Sequence, residues 1–235
     1  MLAIYKRAMR SYFTSVIGYV FLVAYLAIGG AVFAYTTLFS MSADVTAYYM
    51  YMMIVCSVLL PLLTMKSFSE ERKNKTEQLV LTAPLSLTGL VLGKFFAAYT
   101  VFAGALFVNS LAFLLLYRYA LVKTALLLGN LIALLLVGMV YIAIGLFVSA
   151  LTENQLYAAV GTFAIILAFL MIGILNSLLP STYWLRYVLD CISVFTRFQA
   201  FSNGYFDIVA LLYYLSLAAV FLYLSVRVFD RRRYR

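Results

Sequence analysis

Long uninterrupted apolar runs alternate with short polar stretches along this chain. The runs fall at residues 16–39, 45–65, 95–117, 125–150, 156–175 and 208–229. Each is about as long as the ~20 apolar residues that a helix needs to cross a bilayer. A membrane barrel would instead show alternating segments of about 10 residues, and the chain has none. The pattern therefore predicts an all-α, polytopic membrane protein with six transmembrane helices, forming a single transmembrane domain over residues 1–235.

Three polar or mixed segments flank these runs. In residues 2–13 a helical wheel gathers Ile4, Tyr5, Ala8, Met9, Tyr12 and Phe13 on one side and Lys6, Arg7 and Arg10 on the other. Such a helix can lie flat in the membrane interface with its basic side toward anionic head groups. The plainer alternative is a positively charged flank to the first span. Residues 16–39 are too long for the apolar core of a signal peptide, about 7–15 residues, and read as a retained span. Residues 66–94 form a charged connection between the second and third spans. Residues 176–207 are long for a turn, rich in apolar and aromatic side chains such as Trp184 and Tyr205, and punctuated by Pro180 and Gly204. They read as short re-entrant helices before the last span, because backbone at that depth must be helical or buried in protein. Arg186 and Asp190 stand four apart there and are spaced to pair. The rival, a seventh span, would put the basic carboxyl end on the opposite side of the membrane.

Composition supports the membrane reading. Of 235 residues, 66% are hydrophobic and 11% charged, against about 45–50% and about 25% in soluble domains. The net charge of +9 clusters at the ends of the apolar runs, which argues for membrane orientation and against a nucleic-acid partner. With both termini cytoplasmic, thirteen Lys and Arg residues fall on the cytoplasmic side and four on the other. The positive-inside rule thus puts both termini and the 66–94 connection in the cytoplasm of a bacterial inner-membrane protein.

Little catalytic chemistry is visible. There is no histidine, and Cys56 and Cys191 make no disulfide framework or metal set. No Asp or Glu lies clearly inside a span, which argues against an ion-coupled carrier. The stretch from Gly89 to Phe95 resembles a phosphate-binding loop only superficially. It has three residues between its glycines where the motif needs four, and Phe95 where Ser or Thr should follow the lysine. Its small residues suit close helix packing instead. The chain is expected to be no enzyme, with no catalytic residue, no cofactor and no metal of its own.

The most informative segment is Lys66-Ser67-Phe68-Ser69-Glu70-Glu71-Arg72-Lys73-Asn74-Lys75-Thr76-Glu77, continuing through Leu79–Leu81 to Pro84. Glu70–Asn74, Glu71–Lys75 and Lys73–Glu77 are spaced as i,i+4 neighbours, Pro84 would stop a helix, and Ser86 could cap the next. The segment is either a solvated linker with helical tendency or a short charged helix that docks a partner. Together with Leu85-Ser86-Leu87 and Leu92-Gly93-Lys94-Phe95, it resembles the coupling region of ABC-2 type permeases, closest to the branch with gliding-motility and nitrous-oxide-reductase accessory permeases. Two further stretches are similar to that family: Gly145 to Gln155, and the run with Phe201, Gly204, Asp207 and Tyr213 or Tyr214 before the last span and Arg231-Arg232-Arg233.

The resemblance implies a permease subunit that pairs with a second permease, identical or not, over two copies of a separate ATPase subunit holding ATP and Mg. Glu70, Glu71, Arg72, Lys75, Thr76 and Glu77 would seat in the ATPase, and Thr152, Glu153 and Asn154 would form a second contact. ATP-driven closure would then switch the membrane dimer between inward and outward access, in a family composed mostly of exporters. The competing readings are a non-transporting membrane scaffold served by a partner ATPase, and an ion-coupled secondary carrier. No residue stands out as a substrate ligand.

Overall fold

A computed structural model of the chain describes residues 1–41, 45–76, 86–116, 124–178, 189, 193–202 and 207–233. They form helices: α1 (Leu2–Thr14), α2 (Val16–Phe33) with a widened π-helical end (Ala34–Phe39), α3 (Val45–Thr64), α4 (Lys66–Lys73), α5 (Leu87–Ser110), α6 (Ala112–Leu116), α7 (Thr124–Leu151), α8 (Gln155–Leu178), α9 (Val194–Ser202) and α10 (Ile208–Arg233). Among the described residues there is no strand. Six helical stretches are long and apolar enough to span: Val16–Phe39, Val45–Lys73, Leu87–Leu114, Thr124–Leu151, Gln155–Asn176 and Ile208–Arg232.

α7 is the axis of the bundle. Its apolar window is 72% buried, against 22% for α2 and for the last span, and it touches α3, α4, α5, α8, α9 and α10. Small residues on α7 set these distances. A Cβ at Gly138 would overlap the Phe102 ring of α5, and one at Gly145 would overlap the Thr64 hydroxyl at the end of α3. In lipid there is no hydrophobic force between helices, so close packing of this kind carries the association. Where α2, α3, α5 and α6 meet, the rings of Phe33, Tyr48 and Tyr49 surround Phe113, with centroids 4.9–5.8 Å away. The Tyr49 hydroxyl lies 3.2 Å from that of Ser110.

α1 lies against α5, as its amphipathic pattern predicts. Ile4, Tyr5, Ala8, Met9 and Tyr12 are half-buried, and Lys6, Arg7 and Arg10 are exposed. A Cβ on Gly93 would come within 3.0 Å of Ile4 Cγ2, so the glycine lets α1 lie close. Phe13, expected on the apolar side, is instead 47% exposed. Ser15 adopts an extended conformation that turns the chain from α1 into α2.

Two boundaries differ from the sequence expectation. The third span begins at Leu87, not at residue 95, so the glycine-rich stretch before Phe95 forms its first two turns. Lys94 had argued for a loop, but here it is buried and neutralised by a partner. The charged helix begins at Lys66 as the segment does, but with no loop before it, because α3 runs into α4 across Met65. It then stops after Lys73. Thr76 donates its amide to Glu71 O and Lys75 to Arg72 O, both at 3.0 Å, with Lys75 in the left-handed conformation at φ 56°. This is a Schellman end, which satisfies carbonyls that the helix leaves open. It removes the expected Glu71–Lys75 pairing; the i,i+4 ion pair of α4 is Lys66–Glu70, at 3.9 Å. Glu77, Leu79–Leu81, Pro84, Gly204, Trp184, Tyr205, Pro180 and the Arg186–Asp190 pair lie outside the described residues.

Before the last span, α9 is one short helix packed on α7 and α8. Tyr214 donates from its hydroxyl to Val194 O at 2.7 Å, and a Cβ on Gly129 of α7 would stand only 3.0 Å from the carbonyl oxygen of Phe201. Asp207 caps α10 by accepting the Val209 amide at 2.9 Å. Ser86 occupies the corresponding position before α5, but its side chain makes no capping bond.

The packing predicts opposite outcomes at two glycines. Gly138→Ala overpacks the α7–α5 contact and should lower stability in detergent by roughly 1–3 kcal/mol. Gly104→Ala on the exposed face of α5 meets nothing within 4 Å and should raise it by about 0.5–1 kcal/mol through helix propensity. Denaturant or thermal unfolding of the two variants measures both.

Candidate functional site

At one end of the bundle α4, the α7–α8 turn and the last turns of α10 converge, with α1 alongside. The geometry begins at the α3–α4 junction. In an unbroken helix the amides of Phe68 and Ser69 would bond to the carbonyls of Thr64 and Met65. Here both donate to the hydroxyl oxygen of Ser149 on α7, at 3.0 and 3.1 Å. The same hydroxyl donates to Met65 O at 3.1 Å. A hydroxyl has one donor and two acceptor positions, so all three are used. A side chain inserted into the helix ladder in this way bends the helix and fixes its direction. Gly145, one turn earlier on α7, provides the close approach that lets Ser149 reach.

Two arginines close the carboxyl end of α7. Arg72 of α4 donates to Leu151 O at 2.7 Å, and Arg232 of α10 donates to Ala150 O at 2.6 Å. Helix carboxyl ends carry unsatisfied carbonyls and partial negative charge, so two guanidinium groups are favourable there. Arg72 also pairs with Glu153 at 2.9 Å.

On its other side α4 is held by α5. Lys94 Nζ lies 2.5 Å from Glu71 Oε2 and donates to Ser67 O. It also sits 4.2 Å from the centroid of the Phe68 ring, whose centroid is 4.7 Å from that of Phe229 on α10. With 8% of its side chain exposed, Lys94 has these groups where water would otherwise solvate an ammonium. Tyr12 of α1 is hydrogen-bonded to the Ser67 side chain, and burial pushes its phenol up to about 12, so it is neutral at physiological pH.

The expected contact residues therefore divide. Glu71 and Arg72 hold α4 to its own bundle, and Arg72 joins it to Glu153. Asn154 accepts the Leu156 amide at 3.0 Å and caps α8, while Thr152 bonds back to Val148 O at 3.3 Å. Glu70 is half-exposed beside Lys66, and Lys73 and Lys75 are exposed at the free end of α4. Ser149, Lys94 and Arg232 were missed as functional positions. The available signal was the four-residue spacing of Gly145 and Ser149, a small-residue pattern of close helix contact.

No protein-family model matches the chain, and no curated protein matches it.

The chain is thus a six-span α-helical membrane protein whose charged helix α4 is tied rigidly to the central span. Among the described residues no cluster of His, Cys, Asp and Glu is placed to hold a metal.

Ser149→Ala leaves the amides of Phe68 and Ser69 without their acceptor, while Met65 O keeps the Ser69 hydroxyl. The expected result is a loss of about 1–3 kcal/mol, with faster hydrogen exchange at Phe68 and Ser69. In a second experiment, Glu71→Gln leaves Lys94 buried without its counter-charge and should destabilise by roughly 1–3 kcal/mol. Adding Lys94→Met should recover part of that loss, and additive effects in the double-mutant cycle would show that the pair does not couple.

Proposed function

We propose that this chain is the membrane-spanning permease subunit of an ABC-2 type exporter, driven by a separate ATPase subunit. Its α4 end faces the cytoplasm, where the excess of Lys and Arg falls. The observation that carries the reading is the double attachment of α4. The segments that resemble the family's two ATPase contacts, one around Glu70–Thr76 and one around Thr152–Asn154, lie side by side and are joined through Arg72 and Glu153.

A charged helix that only solvated a linker would need no such anchoring. α4 presents Glu70, Lys73 and Lys75 outward, while Glu71, Arg72 and Phe68 fasten its inner side to α5, α7 and α10. A push on the outer side reaches the axis of the bundle through the Ser149 bend and the Arg72 clamp. Rigid transmission of this kind suits a rigid-body change between two states of a permease dimer. The chain supplies mechanical contacts; ATP and Mg belong to the partner.

Purification of the tagged chain from native membranes tests this. An ATP-binding cassette protein should co-purify, and the chain freed of it should hydrolyse no ATP. Lys73→Glu with Lys75→Glu should reduce that capture by ~10-fold or more, equivalent to ~1.4 kcal/mol, without changing thermal stability. In a Cys56→Ser, Cys191→Ser background, Lys75→Cys should react with a membrane-impermeant maleimide only after permeabilisation. Labelling of intact cells, or unchanged capture by the charge-reversed variant, would count against the proposal.

A further inference from the structure

A hollow of about 380 Å³ separates α1 from α4 at the level where the first and third spans begin. Its size falls within the roughly 300–1,000 Å³ of small-ligand sites. α1 contributes Arg7, Ser11 and Tyr12; α4 contributes Lys66 and Glu70; Leu90 of α5 lies on the apolar side. The Glu71–Lys94 pair also lines it, with its charges already matched at 2.5 Å.

The remaining charges are less well matched. Lys66 and Glu70 stand 3.9 Å apart, the widest ion pair among the described residues. Arg7 makes no ion pair among the described residues. The lining holds three cations against two carboxylates, a surplus of one positive charge. A singly charged anion would balance it, and a guanidinium beside an ammonium suits phosphate oxygens.

The position of the hollow decides which phosphate. One wall is an amphipathic helix packed along the first turns of the third span, with its basic residues exposed. Phospholipid head groups are concentrated at this depth, and juxtamembrane basic residues attract them. The hollow admits a head group and not two acyl chains, which stay in the bilayer beside α1. On the far side of the Ile4–Gly93 contact, α1 and α5 form a second, almost wholly apolar groove of about 240 Å³, as expected of a helix bordered by lipid.

We propose that the α1–α4 hollow binds the phosphodiester head group of one phospholipid, with the phosphate on Arg7 and Lys66. The occupant rests against α4, so it bears on the helix that carries the intrachain clamp. Binding requires only this chain and is independent of any ATPase partner, so its failure and that of the permease reading are separate results.

The test is native mass spectrometry and titration of the purified chain in maltoside, using phosphatidylglycerol, diacylglycerol and inorganic phosphate in parallel. One phosphatidylglycerol per chain should be retained. Arg7→Gln with Lys66→Gln should weaken it ~10-fold or more, and Ala8→Trp, which fills the hollow, should do the same. Lys6→Gln with Arg10→Gln removes the same total charge, two units, without touching the lining, and should leave binding within about 2-fold. Equal loss with that control would mean only diffuse attraction to a basic surface and would overturn the proposal. Equal binding of diacylglycerol would overturn it in favour of an apolar groove. Inorganic phosphate binding as tightly as the lipid would overturn it in favour of a soluble anion.

Discussion

A backbone that leaves the membrane must still satisfy its polar groups wherever water cannot reach them. At the junction of α3 and α4 the helix ladder is interrupted, and the buried hydroxyl of Ser149 accepts two amides and returns its own proton to a carbonyl. Without that exchange the bend would expose unpaired groups inside protein, and α4 would have no fixed direction. The other contacts at this end follow from it. Once α4 lies across the end of α7, Arg72 reaches Leu151 O and Glu153, Phe68 reaches Phe229, and Glu71 reaches Lys94. The same bond thus serves local backbone chemistry and the placement of the charged helix α4.

The spans themselves were legible because each is a long apolar run, and the lipid leaves a helix as the economical way to satisfy such a backbone. The amphipathic face of α1 was equally readable from its wheel. Lys94 was not. A lysine beside an apolar run reads as the edge of a span, and only the position of Glu71, twenty-three residues earlier, makes its burial tolerable. Arg232 was read as one more basic residue at a chain end, because its acceptor is a main-chain carbonyl of another helix and leaves no trace in side-chain spacing. The i,i+4 arithmetic at Glu71–Lys75 failed for a different reason. It presumes that the helix continues, whereas the turn at Lys75 ends it and frees Glu71 for α5.

The candidate site was therefore half visible. The charged segment and the α7–α8 turn stood out as separate stretches of sequence. What joins them is a hydroxyl, the guanidinium group of Arg72 and a glycine that permits close approach. Serine and glycine are common in membrane helices, and neither carries a charge pattern. Their meaning emerges only from the neighbour each one touches. The division between residues that fasten α4 inward and those that face outward likewise belongs to the fold.

Arg72 and Arg232 grip neighbouring carbonyls of a single helix end, so the middle of the chain and its last helix are pinned together at one point. The described residues show no comparable pair of guanidinium clamps at the opposite end. A bundle held in this way pivots about its tied end. α7 has 28 residues and so a length of roughly 42 Å. Tilting such a rod by about 5° displaces its far tip by roughly 4 Å, enough to part or close neighbouring side chains. A small rotation at the fulcrum is thereby amplified into the largest movement at the opposite end of the bundle.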